Sequence, residues 1–169
     1  MRRTSVLAIL AALTLVLTTE TLHADISSRL TSLLVDLDGW EANTAEGTDV
    51  NMVGMKMASA IRTYAKKTAI LDMSVMLGSN VLLQGEKQHT QSETQNTKTE
   101  ILEINGFTVI ITYSKTEKMG YIVIPLIEKE SEGSMFVVNY SALSGNNALK
   151  IAKKFDWNKL KSVTGSLIQ

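Results

Sequence analysis

Apolar residues along this chain recur with two different periods. Ile26, Leu30, Leu33, Leu34 and Leu37 are spaced three and four apart beside Asp25 and Ser27, which predicts a short amphipathic helix over 26–37, ending before Gly39. "GWEAN" predicts a strand or turn led by Trp40, and "TAEGTDVNMVG" a polar surface loop punctuated by glycine. From Met55 the period changes to two. Met55, Met57, Ser59, Ile61 and Thr63 alternate with Ala58, Ala60, Arg62 and Tyr64, and then Ala69, Leu71, Met73, Val75 and Leu77 share one face of a second run. Such alternation predicts a half-buried hairpin with its turn within 65–68.

The stretch "QGEKQHTQSETQNTK", residues 84–98, contains no large apolar side chain. Burial cannot offset the entropy of ordering it, so it predicts a solvated helix starting near 81–83 or a loop. A β-rich region follows. "TEILEING" ends in Asn105-Gly106, a pair suited to positive φ, and "FTVIITYS", "YIVIPLIEK" and "SMFVVNYS" extend it into a meander of three or four antiparallel strands. Pro125 lacks an N–H and predicts an edge or a bulge in its strand. In "SGNNALKIAKKFDWNKLKSV", Ala148, Leu149, Ile151, Ala152 and Phe155 form a helical stripe capped by Asn146 or Asn147, and Asp156 caps a last turn with Trp157 and Leu160. No βαβ regularity and no fixed-period repeat occurs. The expected fold class is therefore α+β, an antiparallel β-sheet meander with N-terminal and C-terminal helices packed on one face.

Composition adds a location. "MRRTSVLAILAALTLVLTTETLHA" has Arg2 and Arg3, an apolar run from Val6 to Leu17 and the small residue Ala24, the order of a secretory signal peptide. Its apolar run is shorter than the roughly 20 residues a membrane-spanning helix needs. The expected organisation is a signal peptide over 1–24 and a single domain over 25–169, periplasmic or secreted, with no membrane span after cleavage. Loss of Arg2, Arg3 and Glu20 leaves 15 basic and 16 acidic residues, a balance that attracts no nucleic acid. The chain has no cysteine, which fits a bacterial periplasm better than a disulfide-dense secreted scaffold and provides no thiol for lipid attachment.

Candidate chemistry is sparse. Met52, Met55 and Met57 have the M-x-x-M-x-M spacing of periplasmic copper-handling proteins, and thioethers suit the soft ion Cu(I). Packing of an adaptable side chain into a core, or a surface patch for a partner, explains the same residues. After signal removal His89 is the one histidine, too few for a zinc site or a Ser-His-Asp triad, and no G-x-S-x-G elbow or phosphate-binding glycine loop occurs. Carboxylates at Asp72, at Glu100 and Glu103, and at Glu128, Glu130 and Glu132 would need pairing in a pocket to do acid–base work; on strand ends they serve as solvent-facing charge. Trp40 and Trp157 could stack on a ligand, but each lies beside an element boundary, where anchoring a loop to the core is the commoner use. "SALSGNNALK" places Ser, Gly and Asn at a helix N-terminus, where capping and anion binding are both open.

The layout of "DLDGW", "IRTY", "ING" and "ALKIAKKFDWNKL" resembles small uncharacterised exported proteins of Gram-negative bacteria. That resemblance implies an exported α+β domain and no activity. The expected role is a non-catalytic domain without a cofactor, binding a protein partner or a small-molecule ligand through one sheet face and the polar 84–98 segment. The alternative is a Cu(I)-binding protein using Met52, Met55 and Met57.

Overall fold

The computed structural model describes residues 26–52, 55–79 and 92–168, with the backbone alone described at 52, 55, 56 and 79. The expected signal peptide and His89 lie outside these residues. Among these described residues twelve elements follow in order: α1 (Ile26–Thr31), β1 (Glu41–Ala42), β2 (Glu46–Met52), β3 (Met55–Lys66), β4 (Ala69–Ser79), β5 (Ser92–Glu93), β6 (Thr97–Ile104), β7 (Phe107–Ser114), β8 (Met119–Glu128), β9 (Glu132–Ser141), α2 (Gly145–Ala152) and α3 (Trp157–Leu167).

The strands form one antiparallel nine-stranded sheet in the order β1-β3-β4-β9-β8-β7-β6-β5, with β2 also paired to β3. Two local units make it. β2, β3 and β4 pair in sequence, β6 to β9 form a four-stranded meander, and the ladder from Ile70↔Ser141 to Ser79↔Glu132 joins them. Turn chemistry sets the registers. Ile104 pairs with Phe107 across Asn105 (φ 53) and Gly106 (φ 79), both in the left-handed region that this two-residue turn requires. Lys66 pairs with Ala69 across Lys67 (φ 55) and Thr68. Pro125 lies in an internal strand, at a register shift between Pro125 and Ile127 and beyond the last β7–β8 pair, so its missing N–H removes no bond from that ladder.

The main hydrophobic cluster joins alternate strand residues to the helices. Tyr64, Leu71, Met73, Val75, Val109, Ile122, Phe136 and Val138 are buried with Leu30 and Leu34, Ala148 and Ala152, and Trp157 and Leu160. The Phe155 ring sits among them, 6.3 Å from Tyr64 edge-on and 5.2 Å from Phe136. The Tyr64 hydroxyl donates to Val35 O at 2.7 Å, and Arg62 donates to Leu34 O, Asn43 O and Asp36, so β3 holds the segment after α1 at both apolar and polar contacts. In the buried layer between β9 and α3, Ser134 Oγ donates to Thr164 Oγ1, which donates to Leu160 O. A second, smaller cluster of Ile110, Val123, Met135 and Val137 has Met76, Ile101 and Tyr121 packed against it. Its cross-strand pairs Ile101↔Ile110, Ile110↔Val123 and Val123↔Val137 continue across the sheet face opposite the main cluster.

Several expectations are corrected. Residues 46–52 are strand β2, although exposed side chains dominate it; Gly47 lets α1 approach so closely that a Cβ there would meet Ser27 Cβ at 2.8 Å. Helix α1 ends at Thr31, and Leu33 and Leu34 continue in turns whose N–H groups bond to Leu30 O and Thr31 O. On β3 the core face carries Ala58, Ala60 and Tyr64, and Met57 lies half-buried on the other face. The end of the polar segment, residues 92–98, contributes β5 and the start of β6 instead of helix, while 84–91 lie outside the described residues. Ser144, not an asparagine, caps α2, and Asp156 caps a full eleven-residue α3.

Candidate ligand-binding site

A cavity of about 500 Å³ opens where the β7–β8 turn meets the start of α2. Its walls include Glu100, Ile111 and Tyr113 from β6 and β7, Lys118 from the turn, Tyr140 from β9, and Gly145 from α2. The connections bring these residues together. β8 returns beside β9 with Gly120 opposite Tyr140, and after Ser141 the chain turns through Ala142 (φ 55) so that α2 begins over the Tyr140 ring. Leu143 N donates to Lys118 O at 3.2 Å and ties this crossing to the β7–β8 turn.

Two glycines make room for the Tyr140 hydroxyl. A Cβ at Gly120 would lie 2.5 Å from Tyr140 Oη, and one at Gly145 would lie 3.0 Å from it. Tyr140 is 4% exposed, and its hydroxyl has no hydrogen-bond partner among the described residues. Burial, with a smaller contribution from Tyr113, pushes its phenol up to about 12, so it remains a neutral O–H donor throughout the neutral range. A buried hydroxyl without a partner destabilises a protein by about 1–3 kcal/mol, which makes Tyr140 the unusual group of this wall.

Several other polar groups in and beside the cavity are engaged. Tyr113 Oη donates to Glu100 Oε1 at 3.4 Å, and Lys98 Nζ lies 2.6 Å from the same oxygen. Lys115 Nζ bonds Glu93 at 2.6 Å and Thr94 O at 2.7 Å. At the start of α2, Ser144 Oγ accepts from Asn147 N, and Ser144 O accepts from Asn147 N and Ala148 N.

The sequence candidates are distributed elsewhere. β2–β3 pairing sets Met52 opposite Met55 and Val50 opposite Met57; the side chains of Met52 and Met55 lie outside the described residues. Glu100 and Glu103, three apart on one strand, point to opposite faces: Glu100 lines the cavity, while Glu103 accepts from Thr108 Oγ1 at 2.7 Å. Asp72 accepts from Thr63 Oγ1 at 2.6 Å on the face away from the main cluster. Trp157 is an anchor: its ring meets Phe107 edge-on at 5.7 Å, and Nε1 donates to Ala152 O at 2.9 Å. Trp40 is half-buried against the main cluster.

Among the described residues no group of three or more His, Cys, Asp or Glu is placed to hold a metal ion, and no helix is long and apolar enough to cross a membrane. Sequence reasoning reached the Ser144–Asn147 cap region but missed Tyr140, whose alternation with Phe136 and Val138 marks it as ordinary core. No family model, curated protein or solved structure matches the chain.

Proposed function

We propose that the protein is an exported, non-catalytic binding domain. In this reading the helices cover one face of the sheet, and a small-molecule ligand is taken up in the cavity between the β7–β8 turn and α2. The observation that carries it is Tyr140, a residue of that cavity's wall whose buried hydroxyl has no partner among the described residues. A ligand with a hydrogen-bond acceptor there removes the cost of leaving this donor unmade, and a cavity of about 500 Å³ suits small-molecule ligands, whose sites span roughly 300–1,000 Å³.

The test is a thermal-shift screen of the purified protein against small organic acids, amino acids and sugars, run in parallel on Gly145→Val. Valine at 145 fills the space beside Tyr140 Oη. The expected result is a raised midpoint for one chemical class in the parent and none in the variant; no shift with any compound, or equal shifts in both proteins, overturns the reading.

A copper(I)-binding role is the second reading, and the β2–β3 register favours it. Met55 and Met57 occupy alternate positions of one strand, and Met52 is the direct backbone partner of Met55 at the hairpin end. Competition for Cu(I) against a chelator under reducing conditions is expected to show binding by the parent and its loss on combined Met52→Leu, Met55→Leu and Met57→Leu substitution. Failure of the parent to compete removes this reading.

A further inference from the structure

We infer that the ligand of this cavity is a small monocarboxylate, its carboxylate held by the Gly145 and Asn146 N–H groups at the start of α2 and by the Tyr140 hydroxyl. The inference rests on the binding role proposed above and names its ligand class. The first turn of a helix leaves N–H groups without intrahelical partners, and the aligned peptide dipoles make that end partially positive. In α2 the cap accounts for two of these groups, Asn147 N and Ala148 N, both bonded to Ser144. No described residue accepts from Gly145 N or Asn146 N. Both residues line the cavity.

A helix end alone does not make a site. Here a separate element supplies a third donor: Tyr140 comes from β9, is buried, has a hydroxyl without a partner among the described residues, and carries that hydroxyl within about 3 Å of the point where Gly145 would bear a side chain. Glycine at 145 leaves open the space beside the Tyr140 hydroxyl that a side chain there would occupy. Donors from two directions and no competing acceptor on Tyr140 describe an oxyanion cradle.

The rim selects among oxyanions. Lys115 and Lys118 line the cavity together with Glu100 and Glu117, so the formal charge around it sums to zero and gives no extra attraction for a dianion. Ile111 and Leu143 supply apolar wall. A singly charged carboxylate on a short apolar tail meets both conditions, whereas phosphate brings more charge than the donors offset and no apolar surface.

The test is calorimetric titration of the purified protein with butyrate, butyramide and inorganic phosphate, repeated on Tyr140→Phe. Phenylalanine keeps the ring and removes only the hydroxyl, which has no partner in the fold to lose. Butyrate is expected to bind, butyramide and phosphate to bind at least tenfold more weakly, and Tyr140→Phe to weaken butyrate ten- to a hundredfold, the usual value of a hydrogen bond to a charged group. Equal binding of butyrate and butyramide, preference for phosphate, or an unchanged affinity in Tyr140→Phe overturns the carboxylate assignment. If butyrate fails while other compounds still raise the parent midpoint in the thermal screen and not that of Gly145→Val, the ligand class is wrong and the binding role stands; if both experiments fail, both proposals fall.

Discussion

Replacing Phe136 with alanine is expected to lower the stability of the protein by about 3–5 kcal/mol, the range for removing a fully buried aromatic side chain from a close-packed core. Phe136 has no exposed surface, and its position makes collapse of the resulting cavity difficult. It lies on β9, the strand that joins the two halves of the sheet, with Val75 as its partner on β4 and Ile124 as its partner on β8. Its ring packs against Phe155, which follows α2 and also touches Tyr64. Truncation therefore removes contacts to both sheet halves and to Phe155 at once, and strands hydrogen-bonded on both sides cannot move inward to fill the space. Urea denaturation checks this: the midpoint falls while the slope stays unchanged if only native packing is lost. A loss below about 1.5 kcal/mol would mean that neighbouring side chains refill the site.

How far the sequence revealed this core depends on which residues carry it. β7 was legible because Phe107, Val109 and Ile111 take alternate positions and are all buried, with Ile110 between them buried in the second cluster, and Leu71, Met73, Val75 and Leu77 alternate in the same way on β4. On β3 the period was legible and the buried face was not. Hydropathy ranks Met57 and Ile61 above Ala58 and Ala60, yet the alanines are buried, in the cluster that also takes in Leu30 and Leu34 of the α1 region, and Ile61 is 44% exposed. Small residues there leave space for the helical segment, a tertiary requirement that no local pattern reports. β2 gave no period-two signal because its pairing rests on backbone hydrogen bonds along a polar edge, with Glu46 and Asp49 supplying the charge typical of edge strands. β5, a short strand at the other edge, and the start of β6 are polar as well, so the sequence alone predicts helix or loop there.

The candidate site was half legible. "SALSGNNALK" signals a helix N-terminus through residue types alone, since Ser, Asn and Gly are cap formers. Tyr140 gives no such signal. Its hydroxyl becomes significant only because Gly120 pairs with it across β8–β9 and Gly145 passes over it at the start of α2, and single glycines at strand and helix ends are too common to mark a cavity. The methionine spacing shows the reverse relation. It was conspicuous in the sequence, and what the fold adds is the backbone register that sets Met52 opposite Met55.

Gly120→Ala is the substitution that separates fold from site most sharply. A methyl group at 120 would lie 2.2 Å from Thr112 O, a backbone atom of the paired strand β7, and 2.5 Å from Tyr140 Oη. A flexible side chain could rotate away from such an approach, whereas the carbonyl of a central strand cannot, so β7 and β8 must separate at the cavity rim. The expected loss is about 3 kcal/mol or more, the upper end of the range for overpacking. Gly106 provides the contrast. It has open space around it and φ of 79, so Gly106→Ala introduces only the conformational penalty of a left-handed residue, about 1–2 kcal/mol, with no displacement of neighbours. The two variants thus differ in cause: at 106 the cost is local to the turn, and at 120 it reaches Tyr140. Urea denaturation of both, with butyrate titration of Gly106→Ala, checks this. Gly120→Ala is expected to be the less stable, and Gly106→Ala to keep the affinity of the parent. A smaller loss for Gly120→Ala than for Gly106→Ala would show that β7 yields to the methyl group at little cost, and the close approach at Gly120 would then not be what fixes the Tyr140 hydroxyl in place.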